Sequence, residues 1–348
     1  MNKANMKFLR IKQCLLRRNL ALKILFVFSF IIVFTINSKT FLLSLYQVAS
    51  TKQDFIYRTK VAKSSLLDLL QWTDFKRNET MVEKNCQSNL DMSLWAPEKS
   101  AKICLLPLHK DKHVSGSINR TGQWETFIQE PLFTDLFERH PKAAFVDIGG
   151  HVGTFSLSAA FLGRDVFTFE PTKETFNYLL QSVLLNLLQH RVRLYPVALM
   201  DRHYKCVLPM TDYSEEDNLG GTRVEAQQHC GNKTSRAATL DDLLPIFQRL
   251  HIKEAILKID CEGSETKVIK GGLKFLSSIN VPFISMEVLI LQRYLYKEID
   301  ANGTRLQLLD IMRSLGYFPV PVGGEIVDSL WEIDFIDWPH DITWMKKG

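Results

Sequence analysis

The stretch AFVDIGGHVGTFSLSAAFLGRDVFTFEP, residues 144–171, limits the possible folds more than any other part of this 348-residue chain. It reads as strand, glycine turn, short helix, second strand, acid. Residues 144–148 are an apolar run suited to a strand buried on both faces. Gly149, Gly150 and Gly153 permit a tight turn and close approach of the backbone to a ligand. Residues 155–162 predict a small apolar helix that Gly163 stops in the left-handed conformation. Residues 165–169 predict a second strand, with Glu170 at its carboxyl end. A carboxylate placed there can accept hydrogen bonds from both hydroxyls of a ribose.

Two nucleotide-type ligands compete for such a turn. A dinucleotide site calls for G-x-G-x-x-G, whereas this run is Asp147-x-Gly149-Gly150-x-x-Gly153. Asp147 is a poor neighbour for a pyrophosphate. It suits a cation, and S-adenosylmethionine carries a sulfonium and an ammonium. The alternative is a glycine-rich turn with no ligand.

The α/β rhythm continues beyond Glu170 and predicts a doubly wound, mostly parallel sheet. Thr172 caps a helix with Phe176, Leu179, Leu180, Val183, Leu184 and Leu187 on one face. Residues 192–197 predict a third strand, and residues 200–235 a long irregular loop near the site. A short helix over 239–250 precedes a fourth strand at 255–259, and a fifth strand lies at 282–288. A helix over 306–315 leads to closing strands at 317–320, 324–327 and 331–335.

The fourth strand ends KIDCEGSE. In open α/β sheets ligands bind outside the carboxyl ends of the strands. Alternation places Lys258, Asp260 and Glu262 on one side there, and three such groups are costly unless paired or functional. The alternative is a salt-bridged strand end followed by a helix start stabilised by Glu265. Trp124 and Glu125, just before a predicted helix over 127–137, read either as a packed lid or as a contact to adenine or substrate.

The formal charge of +5 hides an asymmetry. Residues 1–52 hold nine Lys/Arg and no acid, so the rest holds 34 basic and 38 acidic side chains, a net of −4. A mildly acidic body disfavours a nucleic-acid substrate. The early charges precede an apolar run, which predicts a cytosolic tail over 1–23 and a transmembrane signal-anchor over 24–45. A stem over 46–100 and a globular domain over 101–348 follow in the lumen. A cleaved signal peptide is the competing reading. Asn78, Asn119, Asn232 and Asn302 each begin an N-x-T sequon beyond the anchor, in keeping with a glycoprotein. Nearness in sequence pairs Cys86 with Cys104 and Cys206 with Cys230, leaving Cys261 free, although other connectivities exist. No cysteine–histidine spacing suggests zinc.

From Gln123 to Glu287 the arrangement resembles the FkbM family of S-adenosylmethionine-dependent methyltransferases. The motifs that carry the likeness are GQWE (122–125), FVDIGGHVGTFSL (145–157), VFTFEP (166–171), PVALMD (196–201), TLDDLL (239–244), LKIDCEGSE (257–265) and ISMEV (284–288). The resemblance implies a Rossmann-like class I methyltransferase fold and O-methylation. It implies that Asp147, Gly149 and Gly153 line the methionine part, that Gly150 shares their turn, and that Glu170 binds the ribose. Family members commonly carry an asparagine where this chain has His151, and an aliphatic residue where it has Cys261.

The expected chemistry is a direct in-line methyl transfer in which positioning supplies much of the rate. A hydroxyl nucleophile gains from a base. Asp260 and Glu262 are the candidates, with His151 a further one. Asp260 and Glu287, at neighbouring strand ends, could instead hold a divalent cation. An anchor followed by a stem is the layout of glycan-modifying enzymes of the Golgi, so a glycan or small-molecule hydroxyl is the expected acceptor. Two alternatives are a Golgi glycosyltransferase using Asp260 and Glu262 as a metal–diphosphate motif, and a membrane-tethered binding module without catalysis.

Overall fold

The computed structural model describes residues 89–95, 100–211, 218–289, 291–292, 304–322, 330–331 and 333–346. The predicted tail and anchor, most of the stem, Cys14, Cys86, Asn78, Asn302 and the strand at 324–327 lie outside them. No helix among the described residues is long and apolar enough to cross a membrane.

In chain order the elements are β1 (Asn89–Ser93), β2 (Ser100–Cys104), α1 (Val114–Thr121), α2 (Thr126–Arg139) and β3 (Ala144–Ile148). Next come α3 (Thr154–Phe161), β4 (Val166–Phe169), α4 (Lys173–Leu185), β5 (Val192–Tyr195), β6 (Val197–Leu199), β7 (Cys206–Thr211), β8 (Thr222–Gln227) and β9 (Arg236–Ala238). The chain continues with α5 (Leu244–Arg249), β10 (Glu254–Ile259), α6 (Glu265–Lys270), α7 (Leu273–Ser278) and β11 (Asn280–Glu287). It closes with α8 (Thr304–Ser314), β12 (Tyr317–Pro321) and β13 (Asp341–Lys346).

Seven strands form the central sheet in the order β12–β13–β11–β10–β3–β4–β5. Its pairs are parallel except for the two made by β13, which runs antiparallel to both β11 and β12. From β3 the chain winds outward to β5, then returns to place β10 on the other side of β3. The switch point therefore lies between β3 and β10, where open α/β sheets bind ligands.

Strand alternation sends side chains to two separate cores. Ala144, Val146 and Ile148 of β3 join Leu257 and Ile259 of β10 on one face. Phe145 and Ile256 point to the other, with Phe133, Phe137 and Phe155. By the same parity Asp147 and Lys258 share that second face, and they are register partners across β3 and β10. Helices cover both cores, which is why the strands read as unbroken apolar runs.

Several elements depart from expectation. Residues 89–95, assigned to the stem, are part of the domain: β1 pairs with β2, and Met92, Leu94 and Trp95 are buried in the second core. Trp95 stacks on Phe133 at a centroid distance of 4.6 Å. The third strand stops at Tyr195, because Pro196 has no N–H to continue the ladder, and β6 pairs with β9 instead. The irregular loop over 200–235 contains the antiparallel β7–β8 hairpin, joined by the Cys206–Cys230 disulfide. Val207 and Val224 anchor the hairpin on Ala198, Met200 and Ala237.

The helix at 239–250 opens with a 3-10 turn over Leu240–Leu243, fixed by a capping box between Thr239 and Asp242. Among the described residues of 331–335 there is no strand. Trp331 and Phe335 lie in 3-10 turns and pack with Trp338 and Trp344. The closing strand is β13, further along. Cys206 pairs with Cys230 and Cys261 is free, as expected, and Cys104 is disulfide-bonded. Asn119 and Asn232 are both exposed.

Candidate functional site

A cleft of about 390 Å³ opens at the switch point, within the roughly 300–1,000 Å³ of small-molecule sites. One wall is the β3–β4 end of the sheet, with Gly149, Gly150, His151 and Glu170. The facing wall is the β10–β11 end, with Lys258, Asp260, Cys261, Glu262 and Glu287. Trp124, Glu125 and the first residues of α3, Thr154 and Phe155, line it as well. The rim comes from His113 and Val114 at the start of α1 and from residues 218–222 before β8.

The glycine turn is dictated by space. A Cβ on Gly149 would stand 1.8 Å from the Asp260 carbonyl oxygen, and its φ is +87°. Gly150 lies against Thr168, and a Cβ there would come within 2.2 Å of Cγ2. The turn is tied to its neighbours by backbone bonds: the N–H groups of Gly149 and Gly150 both donate to Phe169 O.

Glu170 emerges from the end of β4 and is buried, only 6% exposed. Its Oε1 accepts the Thr172 N–H at 2.7 Å and its Oε2 the His151 N–H at 3.1 Å. Thr172 thus sits at the N-cap position of α4, but its side chain caps nothing. Burial pushes the Glu170 carboxyl up to about 7, against these backbone donors. A carboxylate has about four acceptor positions, so two remain for the hydroxyls of a ribose, and the residues present fit that group.

Asp147 and Gly153 are placed differently. Neither lines the cleft. Asp147 is fully buried, and its Oδ2 accepts the Ser156 hydroxyl at 2.6 Å, while that hydroxyl is 2.6 Å from Thr168 Oγ1. Burial raises its pKa despite Lys258 alongside. Asp147 therefore ties α3 to β3 and β4 behind the turn. Gly153, with φ +101°, lets α3 begin against Leu179.

On the facing wall Lys258 Nζ donates to Asp260 Oδ2 at 2.8 Å and stands 4.6 Å from the centre of the Phe155 ring. Burial works against the lysine charge, but the carboxylates of Asp260 and Asp147 outweigh it and hold its pKa above the ordinary value. Burial likewise opposes ionisation of Asp260. The Lys258 ammonium and a hydrogen bond with Glu287 win, and the carboxyl is held below its usual range. Glu287 takes the opposite state: burial and the Asp260 charge push it up to about 10, so it keeps its proton. Glu262 follows in a left-handed turn with φ +52°. One carboxylate oxygen from each of Asp260, Glu262 and Glu287 lies within 4.8 Å of the others, a spacing that can accommodate a divalent cation.

Sequence reasoning missed the rim. Asp111 pairs with Asn218 through a β-bridge, and Asp341 enters the cleft from β13. Asn218-Leu-Gly-Gly-Thr222 carried a signal in its paired glycines, since backbone without side chains often marks close approach to a ligand.

A mostly parallel sheet whose switch-point cleft sets a buried carboxylate with room for ribose hydroxyls opposite a group of ionisable residues is the build of an enzyme that uses a nucleoside cofactor. Residues 147–318 match the family described as "Methyltransferase FkbM domain". Over those residues the chain is similar to an FkbM methyltransferase domain, and it is an S-adenosylmethionine-dependent methyltransferase. The glycosyltransferase and binding-module alternatives are set aside. No curated protein matches the chain.

Among solved structures it is similar to precorrin-6y C5,15-methyltransferase from Geobacter metallireducens, at 13% identity and TM-score 0.30, over 59% of this chain and 80% of that one. It is similar also to the plantazolicin methyltransferase BpumL in complex with a triazolic desmethylPZN analog and SAH, at 12% identity and TM-score 0.32, over 68% and 90% of the two chains. The catalytic domain of hMettl16 in complex with the MAT2A 3'UTR hairpin 6 gives 15% and 0.32, over 71% and 76%. At such values the likeness says nothing of what this chain methylates.

Proposed function

We propose that the protein is an O-methyltransferase acting on a hydroxyl of a glycan or small molecule in the lumen of the Golgi or another secretory compartment. We place it there as a single-pass type II membrane protein. The observation that carries the chemistry is the set of acids at the carboxyl ends of β10 and β11, across the same cleft from Glu170. Bound there, S-adenosylmethionine supplies an electrophilic methyl group on a sulfonium that leaves readily. Glu170 holds the ribose, and the Gly149–Gly150 turn keeps the methionine side clear of side chains. Asp260, kept ionised by Lys258, accepts the hydrogen bond of an incoming hydroxyl and aims its oxygen. Glu262 and Glu287 fix the neighbouring polar groups of the acceptor. A cation held by Asp260, Glu262 and Glu287 would acidify the same hydroxyl.

The lumenal placement is supported by the basic residues ahead of an apolar run, the exposed sequons at Asn119 and Asn232, and the disulfide chemistry. Thermal unfolding of the full-length protein tests the cofactor half. S-adenosylhomocysteine raises the midpoint and nucleotide sugars do not; no shift in any buffer, with or without divalent metal, defeats the reading. Labelled methyl donor with panels of glycans and lipids then tests the acceptor, and label only on amine or thiol groups defeats it. A glycosidase-sensitive mass tests the compartment.

A further inference from the structure

His151 has no part in the reading above, yet three segments distant in sequence converge on it. Its backbone takes the left-handed conformation, φ +46°, a region in which asparagine, aspartate and histidine are enriched among non-glycine residues. Its N–H is spent on Glu170 Oε2, so the cofactor carboxylate fixes where the residue sits. The residue lines the cleft. Among the described residues neither ring nitrogen has a hydrogen-bond partner, and both are shut off from water. Buried polar atoms in native proteins are rarely left so, and exceptions point to function or to a missing partner.

One nitrogen has a charge beside it. Nε2 lies 3.7 Å from Oδ2 of Asp111, a carboxylate with no solvent exposure. Asp111 cannot swing away. It accepts the N–H groups of Val114 and Ser115 and the Ser115 hydroxyl, and its backbone bridges to Asn218. A rigid acid is thus aimed at one side of a ring whose other nitrogen is unclaimed.

Asp260 is a good hydrogen-bond acceptor but a weak base, because the ammonium that keeps it ionised also lowers its proton affinity. Glu287 already holds a proton. A base works best when its pKa lies near the working pH, and among these groups the imidazole starts nearest to it.

We propose that His151, backed by Asp111, is the general base of the reaction. This rests on the hydroxyl-acceptor reading. The acceptor oxygen forms its bond to the methyl carbon as the carbon–sulfur bond breaks and its electron pair goes to sulfur, giving S-adenosylhomocysteine. Nδ1, the nitrogen that Asp111 does not face, is buried at the cleft; as the acceptor seats it displaces that cover, the hydroxyl proton passes to Nδ1, and Asp111 stabilises the imidazolium that results. The groups acting on the ring are Asp111, from the segment before α1, and Asp260 and Lys258, from β10. Burial lowers the imidazole pKa, the two carboxylates oppose it, and Lys258 adds to it. The free ring is therefore neutral and ready to accept. Activity should rise with pH as the ring loses its proton and level off above.

The test is His151→Asn in the full-length protein, a change the left-handed backbone tolerates. Methyl transfer from labelled S-adenosylmethionine to soluble oligosaccharides is measured against pH, and S-adenosylhomocysteine binding by thermal shift. The expected result is a fall in kcat of about 100-fold or more, loss of the acidic limb of the pH profile, and unchanged binding. Asp111→Asn should move that limb to lower pH and lower the plateau. Unchanged kcat and pH profile in His151→Asn would overturn the proposal, as would binding lost in step with rate. Wild-type transfer to hydroxyls with an unaffected His151→Asn leaves the O-methyltransferase reading standing and removes only the base. Wild-type transfer to amines or thiols alone removes both.

Discussion

On the β3–β4 side of the cleft backbone, glycine and one buried carboxylate set the shape, with His151 the other ionisable group there, whereas the β10–β11 side is made by a cluster of ionisable side chains. The first wall is fixed by steric exclusion: Gly149 and Gly150 have no room for a Cβ. The second is fixed by charge. Lys258, Asp260 and Glu287 hold one another in different protonation states at hydrogen-bond distance. A wall shaped by exclusion binds the same ligand in every turnover. A wall shaped by charge can take up and redistribute protons as substrate arrives.

Mutations can pull that contrast apart. The largest effect is expected from Gly149→Ala, whose new methyl would meet the Asp260 carbonyl at 1.8 Å in a left-handed backbone. A loss of roughly 4 kcal/mol or more and no S-adenosylhomocysteine binding should appear in thermal unfolding. Gly163→Ala, also at positive φ but with nothing within 4 Å, should cost only about 1 kcal/mol. Equal effects would mean that crowding does not shape this wall.

Asp260→Asn should come next, on the other wall. It leaves Lys258 without its closest carboxylate but removes no packing, so turnover should drop by about 100-fold while cofactor affinity holds. Loss of affinity to the same degree would show that the two walls do not divide the labour.

Glu170→Gln should be the mildest in rate and the clearest in binding. With its carboxyl at about 7, the folded chain keeps a proton that the unfolded chain has already lost between pH 4.5 and 7. The raised pKa therefore costs stability progressively over that window, and fully above it. Glutamine removes the cost, so the unfolding midpoint above pH 7 should stay or rise. Affinity for S-adenosylhomocysteine should fall by roughly 10- to 100-fold. Ribose hydroxyls donate to the ionised form, so wild-type affinity should climb up to about pH 7 and then level off. The variant should show no such slope in calorimetric titrations from pH 5 to 8.

What can be read from the sequence follows the same division. The strand Ala144–Ile148 is legible with both its ends, and the turn and Glu170 come with it, because glycine spacing and strand periodicity are local. The acids of KIDCEGSE are legible for the same reason. The partner of His151 is not. Asp111 lies 40 residues upstream, and nothing in its neighbourhood signals a cleft until the bridge to Asn218 is made. The β7–β8 hairpin is hidden because Pro209 interrupts the apolar run of β7 and β8 is mostly polar, with Val224 facing the small core. Asp147 escapes for another reason. Its register against Lys258 shows that it lies on an inner face of the sheet, and sequence alone gives parity along a strand but not which partner it meets.

The close approach of Gly149 to the Asp260 carbonyl, with the Asp260 N–H donating to Ile148 O, has a mechanical consequence. The glycine turn and Asp260 are hinged on one joint. The two walls rise from adjacent parallel strands about 4.8 Å apart, and the ladder between β3 and β10 holds that spacing stiff. Loops around the rim can change to admit another acceptor without retuning that distance. A shift at the joint would detune both partners together.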